Sequence, residues 1–199
     1  MKKDLINAIL AGIVISIGAV IYLSLENKVI GALLFSVGLL SICCLEFNLF
    51  TGKIGYVIEN KQYGKAALIW CGNFIGTFLG STLIKFTRIY AKLAPSLESA
   101  MTPRLTDNYF SLFVLAIFCG LLMYTAVEIF KTRDSVYGMA AILLCVSVFI
   151  LSGYEHSIAN MAYFTLYGWN LDLFVKLIVI TIGNSFGGML IPLCKKMRD

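Results

Sequence analysis

Charge is scarce in this chain: 14% of its 199 residues are Asp, Glu, Lys or Arg, against 59% that are hydrophobic. About a quarter of a water-soluble domain is charged, so the composition excludes an ordinary soluble protein. Histidine occurs once, at His156, and proline three times. A single histidine leaves no H-E-x-x-H helix, and neither a Ser/His/Asp candidate set nor a metal-ligand spacing is read in the sequence. The six cysteines, at 43, 44, 71, 119, 145 and 194, fall in apolar runs without a C-x-x-C spacing and read as packing residues. No low-complexity tract, long linker or polar domain interrupts the chain. The expectation is a membrane protein that is not an enzyme and uses no metal or cofactor.

What the chain does have is long apolar runs. Six reach span length, about Leu5 to Leu25, Val29 to Leu45, Gly64 to Phe86, Tyr109 to Phe130, Val136 to Ser152 and Leu173 to Cys194. The first follows a basic start, as a signal peptide would. Its apolar region is of span length and no small-residue cleavage site follows, so it is kept as a span. The longest polar connection, Thr87 to Asn108, carries Pro95 and Pro103 and reads as an external loop with a surface helix. With a cytoplasmic amino terminus, ten of the sixteen Lys and Arg residues fall on the cytoplasmic side. That bias places both termini inside, in a multi-pass protein of the cell membrane. The net charge of +5 is then topological and implies no nucleic-acid partner.

The two halves of the chain resemble each other. "VIGALLFSVGLL" from Val29 and "VYGMAAILLCVS" from Val136 lie 107 positions apart, as do "NLFTGK" from Asn48 and "EHSIAN" from Glu155. "GNFIG" from Gly72 is answered by "GNSFG" from Gly183, 111 positions on. Three spans per half put the second copy in the membrane upside down. The fold expected is an all-α membrane domain over 1–199, with six transmembrane helices in an inverted 3+3 repeat (about 5–86 and 109–194). Helices two and five are the interrupted ones, broken at "EFNLFTGK" and "GYEHSIAN". Polar backbone at membrane depth is tolerated where it packs in protein or lines a watery cavity, so the paired breaks suggest a pore. Ionisable groups there tend to face a cavity or partner, which singles out Glu155 and His156, although a structural ion pair is the alternative. Asn73 and Asn184, each in G-N-x-x-G, suit close helix packing held by hydrogen bonds; for Asn184 a pore role stands beside it.

The motifs L-F-T-G-K at 49–53, S-G-Y-E-H-S-I-A-N-M at 152–161 and T-I-G-N-S-F-G-G at 181–188 resemble the formate/nitrite transporter family, over about residues 29–194. The resemblance implies a homopentamer of aquaporin-like protomers in the lipid bilayer, each passing small monovalent weak-acid anions such as formate, nitrite or hydrosulfide. It implies a central His156, with Thr51 and Asn184 beside it, between constrictions built from Phe35, Leu39, Leu49 and Phe149. Three positions depart from the family pattern: Asn48 replaces an acidic residue, Asn108 a lysine and Tyr124 an asparagine. Desolvating an anion in an apolar slot costs many kcal/mol, so crossing as the neutral acid is the expected route. A proton from His156, oriented by Glu155, is its expected source. Arg88, Lys92 and Arg104 are expected to concentrate anions at the outer mouth. Two other classes stay open: an aquaporin-like channel for a neutral solute, though neither half has N-P-A, and a non-conducting assembly subunit.

Overall fold

The computed structural model describes residues 1–198, apart from the side chains of residues 58 and 59. Among these the chain forms helices and turns only. Four helices are long and apolar enough to cross a membrane: α1 (Lys2–Ser24), α6 (Tyr63–Lys85), α8 (Tyr109–Thr132) and α11 (Leu171–Arg198). Shorter apolar stretches are α2 (Lys28–Phe35) with α3 (Val37–Cys44), and α9 (Ser135–Leu151). Small helices complete the set: α4 (Phe50–Lys53), α5 (Val57–Asn60), α7 (Tyr90–Thr106) and α10 (Ser157–Tyr167), with a 3₁₀ turn at Ile54–Tyr56.

Local chemistry sets many of the boundaries. Asn27 caps α2 by accepting from the Val29 and Ile30 N–H groups, and Asn108 caps α8 by accepting from Ser111 N–H. The polar connection after α6 contains the helix α7. Its buried residues Leu93, Leu97 and Met101 recur every fourth position, so one stripe packs inward.

Packing follows pairs. α1 lies along α6 and α8 along α11. Asp4 meets Lys65 at 3.0 Å and Tyr109 meets Asp172 at 2.8 Å, so the helices of each pair start at the same end. Both pairs approach closely through glycine: a Cβ on Gly76 would meet the Ile9 carbonyl at 2.0 Å, and one on Gly187 the Ile117 carbonyl at 1.9 Å. Without a hydrophobic drive inside lipid, such close backbone contact is a main source of association. α10 packs on α6 and α1, while α4 packs on α8, so each half lends a short helix to the other.

Lys195 at the end of α11 bonds Glu128 at 3.0 Å, and Tyr56 bonds the same carboxylate at 2.7 Å. Tyr56 shares a cavity wall with Lys65, and Lys65 shares another with Met1. Both chain ends therefore lie at one end of the bundle, hereafter the termini end. α7 lies at the other.

Candidate functional site

Two breaks in helical structure meet at the centre, and they are built alike. Each follows a helix closed by a left-handed residue, Glu46 (φ 55°) after α3 and Gly153 (φ 69°) after α9, which lie 107 positions apart. The next residue donates back over the turn, Phe47 N–H to Ile42 O and Tyr154 N–H to Phe149 O, both at 2.9 Å. This pattern uses carbonyls that a helix end leaves unpaired. Extended chain then leads to Leu49 and His156, which precede α4 and α10.

A buried asparagine clamps each break. Asn73 accepts from Phe50 N–H and donates to the Ala8 and Asn48 carbonyls, each at 2.8 Å. Asn184 accepts from Ser157 N–H and donates to the Ala116 and Glu155 carbonyls, again each at 2.8 Å. Both hydrogens of each amide are thereby committed to the protein's own backbone.

Between the breaks His156 faces Thr51, with Nε2 2.9 Å from the hydroxyl oxygen. His156 Nδ1 accepts from Ala159 N–H at 3.1 Å, which caps α10. That bond places the ring proton on Nε2, so the imidazole donates to Thr51. No acceptor for the Thr51 hydroxyl hydrogen is found among the described residues. Phe149 stacks on His156 with centroids 5.4 Å apart and meets Phe35 edge-on at 6.1 Å. Phe35, Leu39, Leu49, Phe149, Thr51 and His156 are all buried.

This layer separates two cavities. One, of about 230 Å³, lies at the α7 end and reaches Phe149, Glu155, His156 and Arg104. The other, of about 340 Å³, lies at the termini end and reaches Leu39, Leu49 and Gly52, with Lys53 and Lys131 on its walls. Leu39 and Leu49 line one cavity and Phe149 and His156 the other, with Phe35 and Thr51 buried between them.

The α7 end carries a closed charge network. Arg104 Nε lies 3.0 Å from Glu155 Oε2 and donates to Asn160 Oδ1, while Asn160 Nδ2 donates to Glu155 Oε2 at 2.6 Å. The guanidinium also donates to the Ala100 carbonyl and lies over the Tyr163 ring, 5.2 Å from its centroid. Lys176 and Lys28 hold the frame: Lys176 donates to Leu105 O, and Lys28 to Ser96 on α7.

The structure brings Thr51, His156, Glu155, Asn184, Phe35, Leu39, Leu49 and Phe149 together in one layer and its supports. Arg104 joins them, whereas Arg88 and Lys92 are exposed and lie outside the lining of the cavity. Asn108 caps α8 and Tyr124 packs 5.4 Å from Tyr56, toward the termini end. Asn160, Lys53 and Lys131 are residues that the motif reading did not single out. Of the cysteines, Cys119 is buried, Cys43 lines the larger cavity, and Cys44, Cys71 and Cys194 are exposed on the outer faces.

Apolar crossing helices around clamped, polar chain breaks define a helical membrane transport protein. The sequence profile of the formate/nitrite transporter family matches residues 1–195, and the chain belongs to that family. It is 25% identical over 213 residues to the nitrite transporter NirC of Salmonella typhimurium, covering 92% of this chain and 78% of that protein. It is 26% identical over 200 residues to the formate channel FocA of Haemophilus influenzae, covering 81% and 70%. Among solved structures, a pentameric formate channel with formate bound aligns with a TM-score of 0.82 at 24% identity, over 99% of this chain and 96% of that one. An ion channel of the same family aligns with a TM-score of 0.86 at 22% identity, over 99% and 90%.

Proposed function

We propose that each protomer is a pore for small monovalent weak-acid anions of the formate, nitrite or hydrosulfide class, running between the two cavities through the Thr51–His156 layer. The single observation that carries this reading is the placement of the one histidine, hydrogen-bonded across the two breaks inside a ring of apolar side chains. Family membership and the likeness to nitrite and formate transporters support the substrate class.

In this reading the chain crosses the membrane six times, as an inverted repeat with both termini cytoplasmic. The shared termini end and the offset of 107 positions support it. Phe35, Phe149, Leu39 and Leu49 strip water from the substrate, a step that strongly disfavours a bare anion. His156 donates through Nε2 to Thr51, which leaves the Thr51 hydroxyl hydrogen aimed at the substrate. The histidine therefore acts chiefly by polarising Thr51, and the proton that neutralises the anion arrives from the water of the cavities. Glu155 and Arg104 fix the approach at the α7 end, while Asn184 serves the site by holding its backbone. Arg88 and Lys92 add only to the field at that mouth. Assembly as a homopentamer follows from the likeness to the pentameric formate channel.

The test is stopped-flow flux in proteoliposomes with formate, nitrite, hydrosulfide, chloride and urea, at pH values either side of six. Faster flux of a weak-acid anion at low pH, with chloride excluded, is the expected result. Flux of urea alone, or of nothing, would replace this reading with the neutral-solute channel or the assembly subunit.

A further inference from the structure

The two mouths differ in what their cations are doing. At the α7 end Arg104 is occupied by Glu155, Asn160 and Ala100. At the termini end Lys53 and Lys131 line the cavity of about 340 Å³, and among the described residues neither forms an ion pair or donates a hydrogen bond. Lys131 lies over the Tyr56 ring, 4.0 Å from its centroid, a contact that leaves its ammonium hydrogens available on the far side. Among the described residues, the only carboxylate on the same cavity wall is Glu46, which leaves one net positive charge. The floor is Leu39 and Leu49, the dry layer itself. A water occupies about 30 Å³ in the liquid, so the cavity holds on the order of ten waters, room for a hydrated small anion.

We infer that Lys53 and Lys131 form an anion-loading site at the termini end, where a small monovalent anion is held, still hydrated, before it meets Leu39 and Leu49. The inference rests on the pore reading above for the fate of the anion, while the binding itself is independent of it. A pair of cations at the mouth of a low-dielectric slot focuses field into it and raises the local anion concentration. Release toward the dry layer requires the site to hold its ligand weakly, which lysines screened by the water of the cavity do better than a guanidinium locked to a buried carboxylate.

Cys43 lines the same cavity and supplies a native reporter. In a variant with Cys44, Cys71, Cys145 and Cys194 replaced by alanine, the Cys43 thiolate attacks an anionic sulfonate-bearing methanethiosulfonate or its cationic trimethylammonium counterpart, forming a mixed disulfide and releasing methanesulfinate. The anionic reagent is expected to react about tenfold faster, as the net positive charge of the shared cavity wall favours it in a largely aqueous mouth. Added formate slows it, Lys53→Gln with Lys131→Gln abolishes both the preference and the protection, and Glu46→Gln enlarges the preference. Equal rates for the two reagents, or a preference that survives the double glutamine variant, overturn the site. If Cys43 proves too enclosed to react, Glu46→Cys on the exposed rim of the same cavity takes its place, and there too equal rates for the two reagents overturn the site. Anion flux without any reagent preference defeats this inference alone, and a preference without anion flux defeats the pore reading alone.

Discussion

The first break and the second are one backbone design with two different contents. Both leave a helix through a left-handed residue, both are clamped by an asparagine with three hydrogen bonds at 2.8 Å, and both feed a short helix. At matching positions, however, Asn48 stands where the second break has Glu155, and Leu49 where it has His156. Asn48 merely donates to the Asp4 carbonyl, whereas Glu155 anchors the Arg104 and Asn160 network. The scaffold is duplicated and the chemistry is not, which separates residues that hold the pore from residues that work in it.

The clamps are the place to break what the two halves share. Asn73→Ala and Asn184→Ala each remove three hydrogen bonds and leave buried backbone groups unpaired, so each is expected to destabilise by about 3 kcal/mol. Unfolding in detergent should show losses of similar size for both. A large loss for one and none for the other would mean the two breaks are not equivalent.

How much of this was legible in the sequence follows the same division. The repeat offset, the paired G-N-x-x-G motifs and the apolar runs are periodic, and they mark the four long helices and the two segments where shorter helices end, whereas the pairing of α1 with α6 and of α8 with α11 comes from the fold. Asn73 reads as a structural amide from its motif, whereas the role of Asn184 was not readable, because a clamp and a substrate donor require the same amide. The polar stretch 87–108 was readable as a surface helix, and its spacing Leu93, Leu97, Met101, Arg104 carries the signal that Arg104 points inward. Arg88 and Lys92 lack that register, and adjacency in sequence grouped them with it. Lys53 and Lys131 lie far apart in the chain, so only the fold brings them to one cavity.

The next effect is specific to the second break. Arg104→Gln leaves the buried Glu155 with Asn160 as its side-chain partner, and is expected to cost about 2 kcal/mol of stability, less than a fully buried pair because Arg104 is partly exposed. Arg104→Gln combined with Glu155→Gln should recover much of that loss, since no uncompensated charge remains. Additive losses in the double variant would show that the pair does not act as one unit.

The smallest effect sharpens the comparison at the left-handed turns. Glu46→Gly is expected to stabilise by up to about 1 kcal/mol and Gly153→Ala to destabilise by about as much, because φ near +60° favours glycine. Stability shifts of the same sign would contradict the shared turn geometry.

The central claim is that transport chemistry resides in His156 and Thr51, on a scaffold that both halves supply. The measurement that tests it most directly is proteoliposome flux of formate and nitrite by His156→Leu, which gives the second break the residue of the first, with size-exclusion chromatography to confirm intact assembly. The account predicts an assembled protein whose anion flux falls at least about tenfold, the order contributed by a preorganised donor in a dry site. Undiminished flux through that assembled variant would contradict it.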